Sequence, residues 1–353
     1  MAVNRPSGVR DFSYAQDMAI VRTKWQWAMT IGALVLLFVS PLFLPLEYVN
    51  LINYIAITIV TVQGLNIILG YCGQISLGQS AFVGVGAYIA GVLSAKLGVN
   101  FLLTLPCAAI GAGIAGAIFA LPAARIKGFY LAMATLAAQF IIPALIAHPL
   151  ANITGGTNSL MVPTPKIGGL LFNTPDRMFY IIVPLTVLLV FFAKNLVRTG
   201  VGRAMIAIRD NDLAAEVMGV NVFRYKTIAF FVGSLYAGVA GWMWAYWTRA
   251  LNPDIFTLTE SIWYLGMLVV GGAGSVAGGC FGPMLLRMLD FYLKKFGMYL
   301  SGVNANMSAA IQGAGSPLIY GIVILVFIIF EPRGLAHMWE KFKSSYRLRP
   351  FTH

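Results

Sequence analysis

Side chains of the kinds that catalyse reactions or bind metal ions are few in this sequence. The three histidines are too far apart along the chain to suggest a ligand set: His148, His337 and His353. Ser76 and Ser80 have no histidine or acidic residue at a spacing typical of nucleophilic catalysis. The Gly-x-x-x-x-Gly-Lys-Ser/Thr loop that binds nucleotide phosphates does not occur. The residues therefore predict neither an enzyme nor a metal site, and we expect no bound cofactor.

Charged side chains are concentrated between residues 194 and 226, where six residues are Lys or Arg. Apolar sequence flanks this segment, so it must lie outside the hydrocarbon, and its positive excess favours the cytoplasmic side of a membrane. At 3.6 residues per turn, residues 204–218 present one broad and mostly apolar arc. Arg209, Asp212 and Glu216 fall on the other side, and Arg209 and Asp212 are spaced so that they can pair. The segment is either a solvated loop or a short helix offered to a soluble partner.

Capping residues predict where this helix begins and ends. The side chain of Thr199 can accept hydrogen bonds from the first backbone N–H groups, and Asp210 can do so if the helix is shorter. Gly219 is well placed to end the helix, because glycine readily adopts the left-handed conformation found after helix C-termini.

The composition indicates an all-α polytopic membrane protein. Of the 353 residues, 59% are hydrophobic and only 10% are charged, whereas soluble proteins carry roughly 25% charged residues. The net charge of +12 lies in loops and tails, where it orients the chain and meets anionic lipid headgroups, so we expect no nucleic-acid partner. The three cysteines are interpreted as small buried hydrophobes: Cys72, Cys107 and Cys280.

Ten apolar segments approach the length needed to cross a bilayer. They lie at about 27–46, 51–69, 81–97, 101–121, 129–147, 178–193, 227–247, 257–270, 275–289 and 317–330. The chain thus divides into an N-terminal tail (1–26), a membrane body (27–335) that contains the charged loop 194–226, and a C-terminal tail (336–353). If both termini are cytoplasmic, 17 of the 24 Lys and Arg residues lie inside, which favours that orientation.

Two glycine-rich stretches without charge interrupt the apolar sequence, Gly70–Ser80 and Gly271–Gly279. Each separates two apolar segments, and together they suggest a weak internal repeat whose members enter from the same side. Irregular backbone at membrane depth is tolerated where protein or a water-filled cavity surrounds it. The stretches are either broken or re-entrant helices or tight turns between packed helices. For residues 257–289 the sequence is compatible with two interpretations, either two fully crossing helices or a pair of broken helices.

Six segments resemble a known family when they are taken together. They are residues 64–88, 128–139, 154–158, 202–219, 269–278 and 331–335, which are similar in sequence and order to the LivM type of branched-chain amino acid ABC permeases. The resemblance covers roughly residues 50 to 335. It implies a bacterial inner-membrane importer in which this chain pairs with a second homologous permease. A periplasmic binding protein would deliver the substrate, and two cytoplasmic ATPase subunits would bind the ATP and drive transport.

The resemblance also assigns a role to the charged loop, as the coupling helix that docks on an ATPase. The general importer pattern is Glu-Ala-Ala-x-x-x-Gly, and this sequence has Leu213 where the glutamate stands. The pattern therefore does not decide which residue makes the main ionic contact with the ATPase. The candidates for ATPase coupling are Arg203, Arg209, Asp210, Asp212, Glu216 and Gly219.

A path for a zwitterion with an apolar side chain needs a few neutral hydrogen-bonding groups. Candidates are Gln74, Ser76, Gln79, Thr135 and Gln139, each of which could instead form an interhelical hydrogen bond. Urea, short amides and aromatic acids are alternative cargoes. A self-contained channel or ion-coupled carrier is an alternative of another class. Ionisable groups are nearly absent from the spans, with Glu260, Arg287 and Asp290 expected near their ends, which disfavours ion coupling.

Overall fold

The computed structural model of the chain describes residues 24–123, 129–167, 169–301 and 315–348, most of them helical. The long helices are α1 (Lys24–Val39), α2 (Leu46–Leu65, continued by a π-helical turn Asn66–Tyr71), α3 (Gln79–Leu97), α4 (Phe101–Ala123), α5 (Phe129–Ala147), α7 (Pro175–Arg198), α10 (Val222–Thr248), α11 (Leu258–Gly271), α12 (Gly278–Ser301), α13 (Ser316–Phe330) and α14 (Gly334–Leu348). Short helices are α6 (Ala151–Thr154), α8 (Gly200–Asp210) and α9 (Asp212–Val217). Most of the predicted N-terminal tail, together with Arg125 and Lys127, lies outside the described residues.

Each of the ten predicted spans coincides with a helix, so an all-α polytopic membrane protein is confirmed. Among the described residues, six helices are long and apolar enough to cross: α2, α3, α4, α5, α7 and α10. A seventh crossing is possible if α13 and α14, which are bent by 49° at the break between them, count as one span. Helix α11 has 14 residues, about 21 Å at 1.5 Å per residue, which is less than the ~30 Å hydrocarbon core. The count of ten is therefore not confirmed; it requires that α1, α11 and α12 cross as well.

Helix α10 forms the centre of the bundle and packs against α2, α3 and α4. Its contacts are close because small residues face each neighbour. Gly233 lies against α2, Gly238 against the backbone of α4 at Ala108, and Gly241 against the backbone of α3 at Val83. Trp242 and Tyr246, also on α10, are buried against Phe101 of α4. The Trp242 ring stacks on the Phe101 ring, and the Tyr246 ring meets it edge-on. This helix therefore fixes the positions of α2 and α3, between which the first glycine-rich stretch lies.

The ends of the bundle differ in structure. After α5 the chain forms two short strands, β1 (Leu160–Met161) and β2 (Lys166–Ile167), followed by β3 (Leu170–Leu171). Strand β1 pairs antiparallel with β4 (Ala250–Leu251), which directly follows α10, and β2 pairs with β3. The charged segment precedes α10, so it lies at the opposite end of that helix.

A buried arginine and its charged partner lie between α2, α11 and α12. Arg287 was expected near the end of a span, but it lies within α12 and is 5% exposed. Its guanidinium donates to Glu260 Oε2 at 3.2 Å and to Thr58 Oγ1 at 3.3 Å, and it lies 4.1 Å from the centre of the Tyr54 ring. A buried charge is tolerated when it is paired and hydrogen-bonded in this way. The Arg287 cluster therefore joins three helices.

The close approach of α10 to α3 gives a testable prediction. A Cβ atom at Gly241 would overlap the Val83 carbonyl oxygen and lie 2.6 Å from the Ala87 nitrogen. We expect Gly241→Ala to destabilise the protein by about 1–3 kcal/mol, because the helices must move apart. The measurement is thermal unfolding of the purified protein in detergent.

Gly321→Ala is the matched control, because a Cβ atom there meets no atom within 4 Å. This variant should unfold at the wild-type temperature or slightly above it, since alanine favours helix more than glycine does. Equal melting temperatures for the two variants would contradict the packing described for α10.

Candidate functional site

The start of α3 is held by side chains from two other helices. Gln139 of α5 accepts hydrogen bonds from the Ala81 backbone N–H at 3.0 Å and from Ser261 Oγ at 2.8 Å. Ser261 of α11 in turn accepts from the Ser80 backbone N–H at 2.9 Å. Thr135 Oγ1 accepts from the Leu77 N–H at 3.0 Å. The first N–H groups of a helix have no partner within the helix. Gln139 and Ser261 satisfy two of them in α3, and Thr135 bonds the backbone just before the helix.

The other predicted pathway residues lie in the same stretch. The Gln79 side chain is buried and donates to the carbonyl oxygens of Thr61 at 3.1 Å and Gly233 at 3.4 Å. Gln74 donates to the Cys72 carbonyl at 3.1 Å. Ser76 Oγ and Gln79 Oε1 are buried and have no hydrogen-bond partner in the described part of the chain. All five predicted pathway residues are thus brought together around one break. Of their buried side-chain atoms, Ser76 Oγ and Gln79 Oε1 are the two that lack a hydrogen-bond partner among the described residues.

The two glycine-rich stretches lie against each other. The Asn66 side chain accepts from the Gly274 N–H at 2.9 Å and donates to the Ser275 carbonyl at 2.9 Å. Gln63 donates to the Val276 carbonyl at 2.6 Å. Sequence reasoning missed Gln63 and Asn66. The signal for them was present, because two amides three residues apart in an apolar span face one side of a helix and need partners there.

The charged segment folds as two short helices rather than the single predicted one. Thr199 caps α8 as predicted, by accepting from the Gly202 N–H at 3.4 Å. Asn211 then interrupts the helix with extended backbone and caps α9, accepting from the N–H groups of residues 213 and 214 at 3.1 Å each. An asparagine side chain competes with helical backbone bonds in this way, so the alternative cap at Asp210 is wrong. Gly219 follows α9 in the left-handed conformation, with φ of +87°.

The predicted pairing of Arg209 with Asp212 is also wrong. Arg209 bonds Asp210 Oδ1 through Nε at 3.1 Å and Nη2 at 2.9 Å. Its Nη1 donates to the Gly70 carbonyl oxygen at 2.9 Å. The same side chain lies beside the backbone of Gly73 and Gly274. Arg209 therefore connects the charged segment to both glycine-rich stretches at once.

The Asp212 side chain instead lies near the N-terminal end of α10. Its Oδ2 lies 3.7 Å from Nζ of Lys226, whose side chain is 5% exposed. Cys72 is buried nearby; burial raises the pKa of its thiol to about 12, and the positive charge of Lys226 opposes that rise. The thiol is therefore neutral and unreactive at physiological pH.

The remaining predicted coupling residues lie at the surface. Arg203 is exposed and donates to the Arg198 carbonyl at 3.2 Å within its own segment. Glu216 is exposed on α9. Around it, three large apolar side chains are more than half exposed: Leu213 at 60%, Val217 at 87% and Met218 at 83%. We name this surface, formed by residues 213, 216, 217 and 218, the α9 tip. No group of three metal-ligating side chains is found among the described residues.

Comparison with known proteins yields relatives over nearly the whole chain. The LivM permease protein of the high-affinity branched-chain amino acid transport system of Salmonella typhimurium is 27% identical, and the alignment covers 96% of this chain and 80% of that protein. The LivM protein of Escherichia coli is 28% identical over 94% of this chain and 79% of its own length. A probable LivH permease of Methanocaldococcus jannaschii is 24% identical over 75% of this chain and 84% of its own.

No solved structure matches the chain. The family model described as "Branched-chain amino acid transport system / permease component" matches residues 47–330, which include both glycine-rich stretches and the charged segment. The resemblance seen in the six sequence segments is thereby confirmed. The chain belongs to the family of branched-chain amino acid transport system permease components.

Proposed function

We propose that this permease carries branched-chain, hydrophobic amino acids into a bacterial cell as one subunit of an ATP-driven importer. The proposed cargo rests on one observation: 94–96% of the chain matches two proteins named as LivM permeases of branched-chain amino acid transport. The complex would contain a second homologous permease, two cytoplasmic ATPase subunits that bind ATP, and a periplasmic binding protein. The LivH relative supports a second permease of the same family.

In this proposal the chain crosses the inner membrane ten times, with both termini in the cytoplasm. The distribution of Lys and Arg supports the orientation. The membrane body would run from 27 to 335, between tails at 1–26 and 336–353. The charged loop 194–226 then faces the ATPases, and α1, α11, α12 and α13 cross in addition to the six long apolar helices.

The α9 tip is the proposed docking surface for an ATPase. Exposed apolar side chains next to a carboxylate, on a helix outside the hydrocarbon, are typical of a protein contact. Glu216 is accordingly the proposed ionic contact. Arg203, Asp210 and Asp212 would surround it, and Gly219 would end the helix that carries it.

Arg209 has a different role in this proposal, as the link between the docked helix and the membrane body. It spans from α8 to the Gly70 carbonyl and lies beside Gly274. Movement of the charged segment by the ATPases would therefore reach both glycine-rich stretches directly. The nearby Gln74, Ser76, Gln79, Thr135 and Gln139 would line or support the path of the substrate.

Transport by the purified complex tests the proposed cargo and energy source. We expect ATP-dependent uptake of L-leucine when the complex is purified through a tag on this chain and placed in liposomes with binding protein. Urea, acetamide and benzoate should compete weakly, and the chain alone should show no uptake. Stronger uptake of one of those three compounds would overturn the cargo, and accumulation by the chain alone would overturn the need for ATPases.

Two substitutions distinguish the docking of the ATPases on the α9 tip from the connection that Arg209 makes to the membrane body. Glu216→Gln should weaken retention of the ATPases, because it removes the charge at the α9 tip. Arg209→Lys keeps a positive charge but cannot form the three hydrogen bonds of the planar guanidinium, and a hydrogen bond from a charged group is worth about 1.5–3 kcal/mol. We expect Arg209→Lys to retain the ATPases and to lower leucine transported per ATP several-fold.

Arg224→Lys is the control for the second substitution, because Arg224 lies exposed in the same charged segment and its side chain has no hydrogen bond or ion pair among the described residues. This variant should keep the wild-type ratio of transport to hydrolysis. Loss of the ATPases from Arg209→Lys, or an unchanged transport ratio, would contradict the linking role.

A further inference from the structure

Four of the described cationic side chains lie together at the C-terminal end of α7, where the membrane body meets the charged segment. Lys194 and Arg198 are four residues apart, so they lie on one face of that helix. The Arg203 guanidinium of α8 donates to the Arg198 carbonyl at 3.2 Å, which places it at the same end. Lys343 of α14 lies close enough for its charge to act on Lys194. We name these four side chains the α7 cation group.

No acidic side chain in the described part of the chain forms an ion pair with the α7 cation group. The ion pairs found there belong to other cations. Two of the twelve Asp and Glu residues, Asp11 and Asp17, lie outside the described residues. The negative end of the α7 dipole attracts cations, but like charges this close repel one another. An anion between them offsets that repulsion, so the group is suited to a ligand that carries negative charge.

Exposed aromatic side chains flank the group on both helices. Phe191 and Phe192, just before Lys194 on α7, are 56% and 54% exposed. On α14, Trp339 and Phe342 are 53% and 65% exposed, and their rings stack with centroids 6.0 Å apart. Aromatic side chains beside cations are typical of the level at which lipid headgroups lie. A soluble anion contacts the cations alone, whereas a phospholipid contacts the cations and the rings.

Helix α14 has the pattern of a helix that lies in a membrane interface. It is bent by 49° from α13, and its apolar residues share one face at helical spacing: Leu335, Met338, Trp339 and Phe342. Leu335 packs on the bundle, while Met338 is 47% exposed alongside the two rings. A basic amphipathic helix with such an exposed aromatic face is typical of binding to anionic lipid. Helix α14 therefore presents Lys343 where a lipid headgroup is within reach.

We propose that the α7 cation group binds the phosphate headgroup of an anionic phospholipid, in the membrane leaflet that the charged segment faces. The acyl chains lie along the exposed rings of α7 and α14. A bound headgroup joins the end of α7 and the start of α8 to α14, and so holds the charged segment in place. The inference rests on the proposed function, in which that segment transmits the work of the ATPases. Transport per ATP therefore depends on anionic lipid.

Native mass spectrometry of the purified complex in detergent, with phosphatidylglycerol added in increasing amounts, tests the site. The wild type should bind phosphatidylglycerol at least about tenfold more tightly than phosphatidylethanolamine with the same acyl chains. The double variant Lys194→Gln, Lys343→Gln should lose about tenfold in affinity for phosphatidylglycerol, because each basic residue contributes to headgroup attraction. The matched control is Lys96→Gln, Lys166→Gln, which removes two exposed lysines from the opposite end of the bundle.

Equal affinity of the double variant and the wild type for phosphatidylglycerol would overturn the site, as would equal affinity of the wild type for both lipids. Displacement of the lipid by millimolar inorganic phosphate would assign the group to a soluble phosphate instead. Loss of the ATPases from the double variant would assign it to an acidic protein surface. Tighter lipid binding after Asp11→Asn with Asp17→Asn would show that the N-terminal tail occupies the group. If the double variant melts early, the two lipids still decide the question on the wild type.

The functional effect is measured as leucine transported per ATP in liposomes with and without phosphatidylglycerol. The wild-type ratio should fall several-fold without the anionic lipid, and the double variant should give the low ratio in both. A wild-type complex that imports leucine with the same ratio in both liposomes overturns this inference and leaves the proposed function standing. A complex that imports no leucine in either overturns the proposed function instead, while mass spectrometry still judges the lipid site.

Discussion

Backbone groups that leave a helix at membrane depth cannot bond to lipid tails and need other partners, and this constraint organises the structure. Both glycine-rich stretches expose such groups, and side chains of neighbouring helices bond them. Gln139, Thr135 and Ser261 bond the N–H groups at the start of α3. Asn66 and Gln63 bond the second stretch between residues 274 and 276. The irregular backbone is thereby tied to α2, α5 and α11.

The same constraint explains why the charged segment attaches where it does. The last carbonyl groups of a helix lack partners and form the negative end of its dipole. Gly70 lies in the final turn of α2, so its carbonyl oxygen favours a cation, and Arg209 supplies one. A larger residue at position 70 would collide with the backbone of Gly274. One glycine thus permits both the contact between the two stretches and their link to the segment outside the hydrocarbon.

Sequence patterns predicted the features that depend on residues close together in the sequence, such as helix positions and helix caps. Apolar runs placed the helices, and Thr199 and Gly219 marked the limits of the helical part of the charged segment. The prediction failed where tertiary contacts decide between local alternatives. Periodicity predicts one continuous helix over residues 204–218, because it treats Asn211 as one more helical position, whereas the Asn211 side chain caps α9. The inward direction of Arg209 depends on a carbonyl 139 residues away, which no local pattern contains.

The use of polar side chains in hydrogen bonds also narrows where a substrate could contact this chain. Gln139 uses its carbonyl oxygen for two bonds and its amide for a third, to the Phe256 carbonyl. A substrate that competed for these bonds would expose the N–H groups of α3 and destabilise the break. Ser76 Oγ and Gln79 Oε1 carry no such cost, because neither has a partner among the described residues. Judged by polarity alone, all five side chains are equally good candidates for substrate contact. Their hydrogen bonds separate them: some bond the backbone of the break, and others have an atom available to a ligand.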